Sequence, residues 1–271
     1  MIDTIKYATI SNIYVKDLIF YDESKEEELQ VICLDYGISY LPNKDKKSCY
    51  KLLENGTFKS AELTEDLICN PYDRLFEDET ITKFENGRHD EVMFVVEGGK
   101  IKGVVHIVDY NTEFINYEFY KATYRLEKML RDLLIKKGET NDSLVEWMRQ
   151  KSKKSNDHWD NRYYQCVPKD EEKRKVQIRR REECNPFQAF FFNDLLMFSA
   201  SKKYVSKEFK TNIENLKEIR NWVAHNKDLA PKNREDSHPL YRIDGLKKFV
   251  KNAKDFFKCY EELEDLTSNY N

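Results

Sequence analysis

Residues 111–138 read NTEFINYEFYKATYRLEKMLRDLLIKKG, and this stretch decides the fold of everything after it. Phe119, Tyr120, Leu126, Leu130, Leu133 and Leu134 recur at the three-and-four spacing that lines one face of an α-helix. Asn111 or Thr112 supplies a side chain suited to an N-cap, and Gly138 stands where a helix ends on a left-handed residue. The spacing therefore predicts one long helix.

No convincing strand follows. A shorter helix is expected over Ser143–Lys151, then helices over Pro186–Lys203, Ser206–Asn226 and Leu240–Leu266, enough for a bundle. The polar, basic segment Ser152–Arg181 between them reads as a long loop or insertion.

The sequence before Asn111 has another character. Val31–Leu34 and Val92–Val96 are short apolar runs of strand type. Gly98-Gly99 between two such runs suits a hairpin turn, because glycine tolerates positive φ. Leu18–Gln30 and Ile68–Phe84 are the expected connecting helices. The fold class is thus α+β: an α/β domain over 1–110, then an all-α helical bundle over 111–271, with the boundary near Asn111.

Charge follows the same division. Residues 1–110 hold 13 Lys and Arg against 22 Asp and Glu, a net of −9; residues 111–271 hold 33 against 27, a net of +6. Only the basic half is suited to a polyanion, although two ordinary solvated surfaces also account for the pattern. The chain is 40% hydrophobic, too apolar for a disordered protein. Its six cysteines are scattered without a C-x-x-C pair, which reads as reduced thiols rather than a disulfide framework or zinc site. Without an apolar leader or spanning run the expected location is cytoplasmic, with no membrane partner.

The helix from Ser206 ends in NLKEIRNWVAHNKD, residues 215–228. Its apolar stripe is read as Phe209, Ile213, Leu216 and Val223, and Arg220 falls inside it. A guanidinium on an inward face is costly without a partner or ligand. Asn221 and His225, four apart, share the opposite face. Arginine presents a fork of donors to phosphate oxygens, and histidine exchanges protons near neutral pH. A local ion pair for Arg220 and a helix-end position for His225 would explain the same residues structurally.

With Arg220, Asn221 and His225 on one short motif, residues 111–271 resemble the HEPN domains, whose signature is R-x4–6-H with a polar residue after the arginine. The stretch YRLEKMLRDLL is similar to the first long helix of those bundles. The resemblance implies a homodimer with a composite ribonuclease site and RNA as substrate. It also implies cleavage without a metal or any required cofactor, by attack of the 2′-hydroxyl on the adjacent phosphate. Arg220 and His225 lie about 140° apart on an ideal helix, so a dimer is the natural way to unite them. Glu127 and Arg131 are further candidates around the site, although surface pairing explains both.

Two more sets of residues stand out. Lys153, Lys154, Lys173, Arg174, Lys175, Arg179, Arg180 and Arg181, interleaved with Trp159, Tyr163 and Tyr164, combine cations with aromatic faces, as single-stranded RNA sites do; a solvated insertion has the same composition. His158 there reads as a surface histidine. In the first half, VKDLIFYDESKEEELQVICLDYGISYLPNKD (residues 15–45) and EVMFVVEGGKIKGVVHIVDY (residues 91–110) resemble the two repeats of a CBS-domain pair, the Bateman module. That resemblance implies a regulatory adenine nucleotide, held by Gly37, Ile38 and Pro42 of one repeat and Gly103, His106 and Asp109 of the other. The sequence departs from the pattern at His106, where threonine or serine is usual, and at KKSCYKLLENG (residues 46–56), which lacks the expected glycine and aspartate.

Two function classes follow. One is a nucleotide-gated endoribonuclease, an architecture suited to a toxin or defence effector. The other is a non-catalytic nucleotide-sensing or RNA-binding dimerisation module. No His, Asp or Glu spacing points to a metal-dependent nuclease.

Overall fold

In a computed structural model describing residues 2–86, 92–153, 157–225, 227 and 243–268, most of the stretch 111–138 forms helix α4 (Glu113–Lys136). It buries Phe119, Leu126, Leu130, Leu133 and Leu134, whereas Tyr120, expected on the same face, is 56% exposed. Gly138 ends it at φ 73°. The Gly138 N–H donates to the Ile135 carbonyl at 2.9 Å and the Glu139 N–H to that of Leu134 at 3.0 Å, satisfying carbonyls that a helix end leaves open. The Thr112 hydroxyl is buried without a hydrogen-bond partner, so it does not cap the helix.

The chain is a mixed α and β protein with two small sheets and a helical C-terminal region. It divides into two compact units, Met1–Tyr120 with Asn221–Lys254, and Lys121–Arg220 with Asp255–Asn271.

The first unit holds α1 (Asp3–Lys6), α2 (Glu26–Tyr36) and α3 (Asp78–Asn86) beside both sheets. Strands β1 (Tyr40–Pro42), β2 (Cys49–Leu52) and β3 (Phe58–Ala61) form an antiparallel meander. In the second sheet β4 (Ile68–Cys69) runs parallel to β5 (Met93–Glu97), which turns back antiparallel into β6 (Lys100–Val105). The expected hairpin is present: Gly98 and Gly99 have φ 59° and 69°, a pair of left-handed residues that matches strand twist. Tyr40, Cys49, Leu67, Phe94 and Ile101 form a core drawn from both sheets.

Val31–Leu34, expected as a strand, lies inside α2. Only Leu29 and Cys33, one turn apart, pack against Leu41, while Val31 and Leu34 are exposed. Three glutamates in the first turn favour the positive helix end, and Gly37 at φ 66° closes the other. These terminal signals outweigh the strand preference of Val and Ile. The helices expected over 18–30 and 68–84 are shorter and later, as α2 and α3, and the 40–61 meander was not foreseen.

The second unit contains α5 (Asn141–Ser152), α6 (Asp157–Cys166), α7 (Glu171–Glu183), α8 (Phe192–Ser201) and α9 (Lys207–Thr211). Portions of α4, α10 (Ile213–Ala224) and α11 (Ile243–Ser268) complete it. The segment 152–181, expected as a loop, is largely α6 and α7. Helix α6 buries Arg162 and Cys166, and α7 buries no residue at all. Neither offers the apolar periodicity by which helices are read. The expected start of the last helix, 240–242, lies outside the described residues. No described helix is long and apolar enough to cross a membrane.

Candidate functional site

The motif helix begins with a cap. Ser206 Oγ accepts the Phe209 N–H at 3.0 Å, and Glu262 accepts both the Ser206 N–H (2.6 Å) and hydroxyl (2.7 Å). After the short α9 the chain bends at Asn212 and continues as α10. Phe209, Ile213, Leu216 and Ile219 are buried, so Ile219 holds the place expected for Val223, which is only half-buried. Asn215 anchors the helix by donating to Asp255 at 2.8 Å.

One turn beyond Leu216, Arg220 is half-buried, as its place in the stripe predicts. Among the described residues its guanidinium has no hydrogen-bond or ion-pair partner. Asn221 and His225 are both exposed. Trp222 is half-buried with its ring edge-on to Phe249, centroids 5.6 Å apart. Helix α10 stops at Ala224, where the His225 N–H donates to the Asn221 carbonyl at 3.2 Å and the Lys227 N–H to that of Trp222 at 3.0 Å. His225 therefore stands on the last turn with its ring open to solvent, a place from which it can exchange protons with a ligand. Glu127 and Arg131 pair with each other on α4, and Arg131 also donates to the Phe187 carbonyl at 3.5 Å.

Of the cationic set, Lys153 caps α5 and is exposed, and Lys154 lies outside the described residues. Trp159 is half-buried, edge-on to Trp147 at 4.9 Å, and His158 is exposed. On α7, Arg179 donates to Glu183 at 2.6 Å, Arg181 to the Cys166 carbonyl at 2.7 Å, and Arg180 is exposed.

The residues singled out in the first half form two corners. Gly37 is the left-handed cap of α2, and the Ile38 N–H donates to the Cys33 carbonyl at 2.8 Å. Pro42 is buried in β1 and its carbonyl accepts the Tyr21 N–H at 2.9 Å. At the other corner a Cβ on Gly103 would meet the Tyr14 ring at 2.2 Å and the Val15 carbonyl oxygen at 2.4 Å, so the close approach there is made by the chain itself. His106 and Asp109 bracket a turn of 3-10 helix. The His106 N–H donates to Asp109 at 2.8 Å, and His106 Nδ1 accepts the Val108 N–H at 3.3 Å. Burial pushes the Asp109 carboxyl up to about 6, against the pull of the His106 N–H.

No protein-family model matches the chain, and no curated protein or solved structure does either.

Two features escaped the sequence reading. A cleft of about 520 Å³ is lined by Glu208, Asn212, Lys258, Glu261, Glu262 and Asp265, among others. Arg162 and Asp194 form a buried ion pair. Only the cleft carried a sequence signal, the density of acids near the end of α11. Among the described residues no group of three or more His, Cys, Asp or Glu is arranged to hold a metal ion.

Proposed function

We propose that the chain is a metal-independent endoribonuclease of the kind its resemblance to HEPN domains implies, acting as a homodimer on RNA. The observation that carries the reading is Arg220: half-buried on α10, with no partner for its guanidinium among the described residues. A cation kept in that condition is stabilised best by an anion from outside.

In this reading the substrate 2′-hydroxyl attacks the adjacent phosphorus. The 2′-oxygen–phosphorus bond forms and the bond to the 5′-oxygen breaks, leaving a 2′,3′-cyclic phosphate and a 5′-hydroxyl. His225 takes the proton from the attacking hydroxyl or returns one to the leaving oxygen, a role worth about 10²–10⁴-fold. Arg220 stabilises charge on the phosphorane, and Asn221 orients substrate or imidazole. The CBS-like half supplies regulation: an adenine nucleotide bound by that half shifts the arrangement of the two copies, as a toxin or defence effector requires. Such gating needs a ligand that binds the two arrangements unequally.

A second reading, a non-catalytic nucleotide-sensing or RNA-binding dimer, draws support from His225, whose ring no described side chain orients. Incubation of purified protein with total RNA in EDTA separates the two, with and without a panel of adenine nucleotides. Ends carrying 2′,3′-cyclic phosphate from wild type, and none from Arg220→Ala or His225→Ala that remain folded, establish the ribonuclease. Silence of the wild type under every nucleotide favours the sensor.

A further inference from the structure

Helix α7 has thirteen residues and buries none of them. A helix without an apolar face holds its place by other means. Its first turn is capped by Asp170, which accepts the Lys173 N–H at 2.8 Å. At its far end Asn141 donates to the Arg181 carbonyl at 3.1 Å, and the Arg181 guanidinium donates to the Cys166 carbonyl. The helix is thus held by polar bonds at its ends and otherwise stands in solvent.

Its charges are segregated. At about 100° per residue, Glu171, Glu172, Glu182 and Glu183 fall within one third of the circumference. Lys175 and Arg179 lie among them and are neutralised there: Lys175 is 3.1 Å from Glu172 and 3.6 Å from Glu171, and Arg179 pairs with Glu183. Lys173, Arg174 and Arg180 occupy the opposite side, around Gln177. All three cations are exposed, and none has a side-chain partner among the described residues. On α6, Tyr164 is 42% exposed, and the ammonium of Lys169, two residues before α7, lies 4.6 Å from its ring centre.

We propose that α7 is a phosphate-tracking arm that holds single-stranded RNA through Lys173, Arg174 and Arg180, with Tyr164 as a stacking surface for a base. This rests on the reading of RNA as substrate, and it reassigns the contacts within the arginine run: Arg180 binds, while Arg179 and Arg181 serve the helix itself. Unpaired cations along one side of a helix suit the backbone of a single strand, and an exposed aromatic ring suits a base. A membrane surface fits less well, because the exposed Val176 and Ile178 lie on opposite sides of α7 and form no apolar face.

The test is fluorescence anisotropy of the full-length protein with a labelled 2′-O-methyl oligonucleotide, which cannot be cleaved, across a salt series. Alanine at all three positions (Lys173, Arg174, Arg180) is expected to weaken binding at least about tenfold. It should also reduce the slope of log K against log salt by about 2, at about 0.7 per phosphate contact on a single strand. Arg179→Ala should leave binding unchanged, and Glu183→Gln, which frees Arg179, should strengthen it. Far-UV circular dichroism checks that the variants stay folded. An unchanged affinity and slope in the triple variant, or no binding by wild type, overturns the arm. So does a triple variant that keeps RNA binding but loses salt-sensitive self-association, which would make α7 a docking surface for protein. Because the strand is uncleavable, these outcomes are independent of whether Arg220 and His225 catalyse.

Discussion

Arg162 and Asp194 meet as a buried pair joining α6 to α8. Arg162 Nε lies 3.1 and 2.9 Å from the two carboxylate oxygens and Nη2 lies 2.6 Å from one of them. The guanidinium also stacks 3.9 Å from the Phe191 ring centre and donates to Gln165 at 2.9 Å. Asp194 in turn accepts the Phe191 N–H at 2.9 Å, so one carboxylate both caps α8 and neutralises the arginine.

Removing one partner strands the other's charge in the interior. Arg162→Met is expected to cost roughly 3–5 kcal/mol. The double variant Arg162→Met with Asp194→Leu should recover most of that and retain the loss of the cap, about 1 kcal/mol. Urea unfolding midpoints measure both. A single variant as stable as wild type would show that the pair contributes nothing.

At Arg220 the geometry of the donor should matter more than its charge. Lysine keeps the cation and loses the fork, so Arg220→Lys is expected to lower RNA cleavage about 100-fold with an unaltered unfolding midpoint. Cleavage at the wild-type rate would remove Arg220 from the chemistry.

Asp109 should give stability an unusual pH dependence. Its folded carboxyl titrates near 6 because it is buried, above the value of about 3.9 in an unfolded chain. Between those values the folded state binds the extra proton, so stability falls as pH rises from about 4 to 6 and is level above that. The loss is on the order of 2–3 kcal/mol. Asp109→Asn keeps an acceptor for the His106 N–H and should remove the slope. Denaturant titrations at pH 4.5, 5.5 and 7 compare the two proteins; parallel profiles would contradict the assignment.

Gly103 has no room for a side chain, since Tyr14 and the Val15 carbonyl already occupy the space. Gly103→Ala is expected to destabilise by roughly 1–3 kcal/mol. A thermal melt unchanged from wild type would mean that the Tyr14 segment yields easily.

Where terminal signals and periodicity agree, the sequence was legible. Gly138 ends α4, Gly98-Gly99 turns the β5–β6 hairpin, and the half-burial of Arg220 follows from its spacing to Leu216. It misled where they disagreed. Val31–Leu34 has strand-type residues, yet α2 forms around the pair Leu29 and Cys33. Helix α7 has no buried stripe to detect, only a cap and ion pairs. The meander over 40–61 is made of strands of three or four residues, too short for alternation to be read.

By itself the sequence determined the helical character of the second half, the glycine turns, and the motif that sets Arg220, Asn221 and His225 near the end of one helix. These depend on neighbours three or four residues away, which a linear chain displays. The tertiary structure alone decided that Arg162 is spent on Asp194, that Tyr14 fills the space at Gly103, and that Arg181 is tied to Cys166. It also set Arg180 apart from Arg179, one paired and the other open. Partners for a buried charge or a bare backbone come from distant parts of the chain, and composition cannot say which cation will find one.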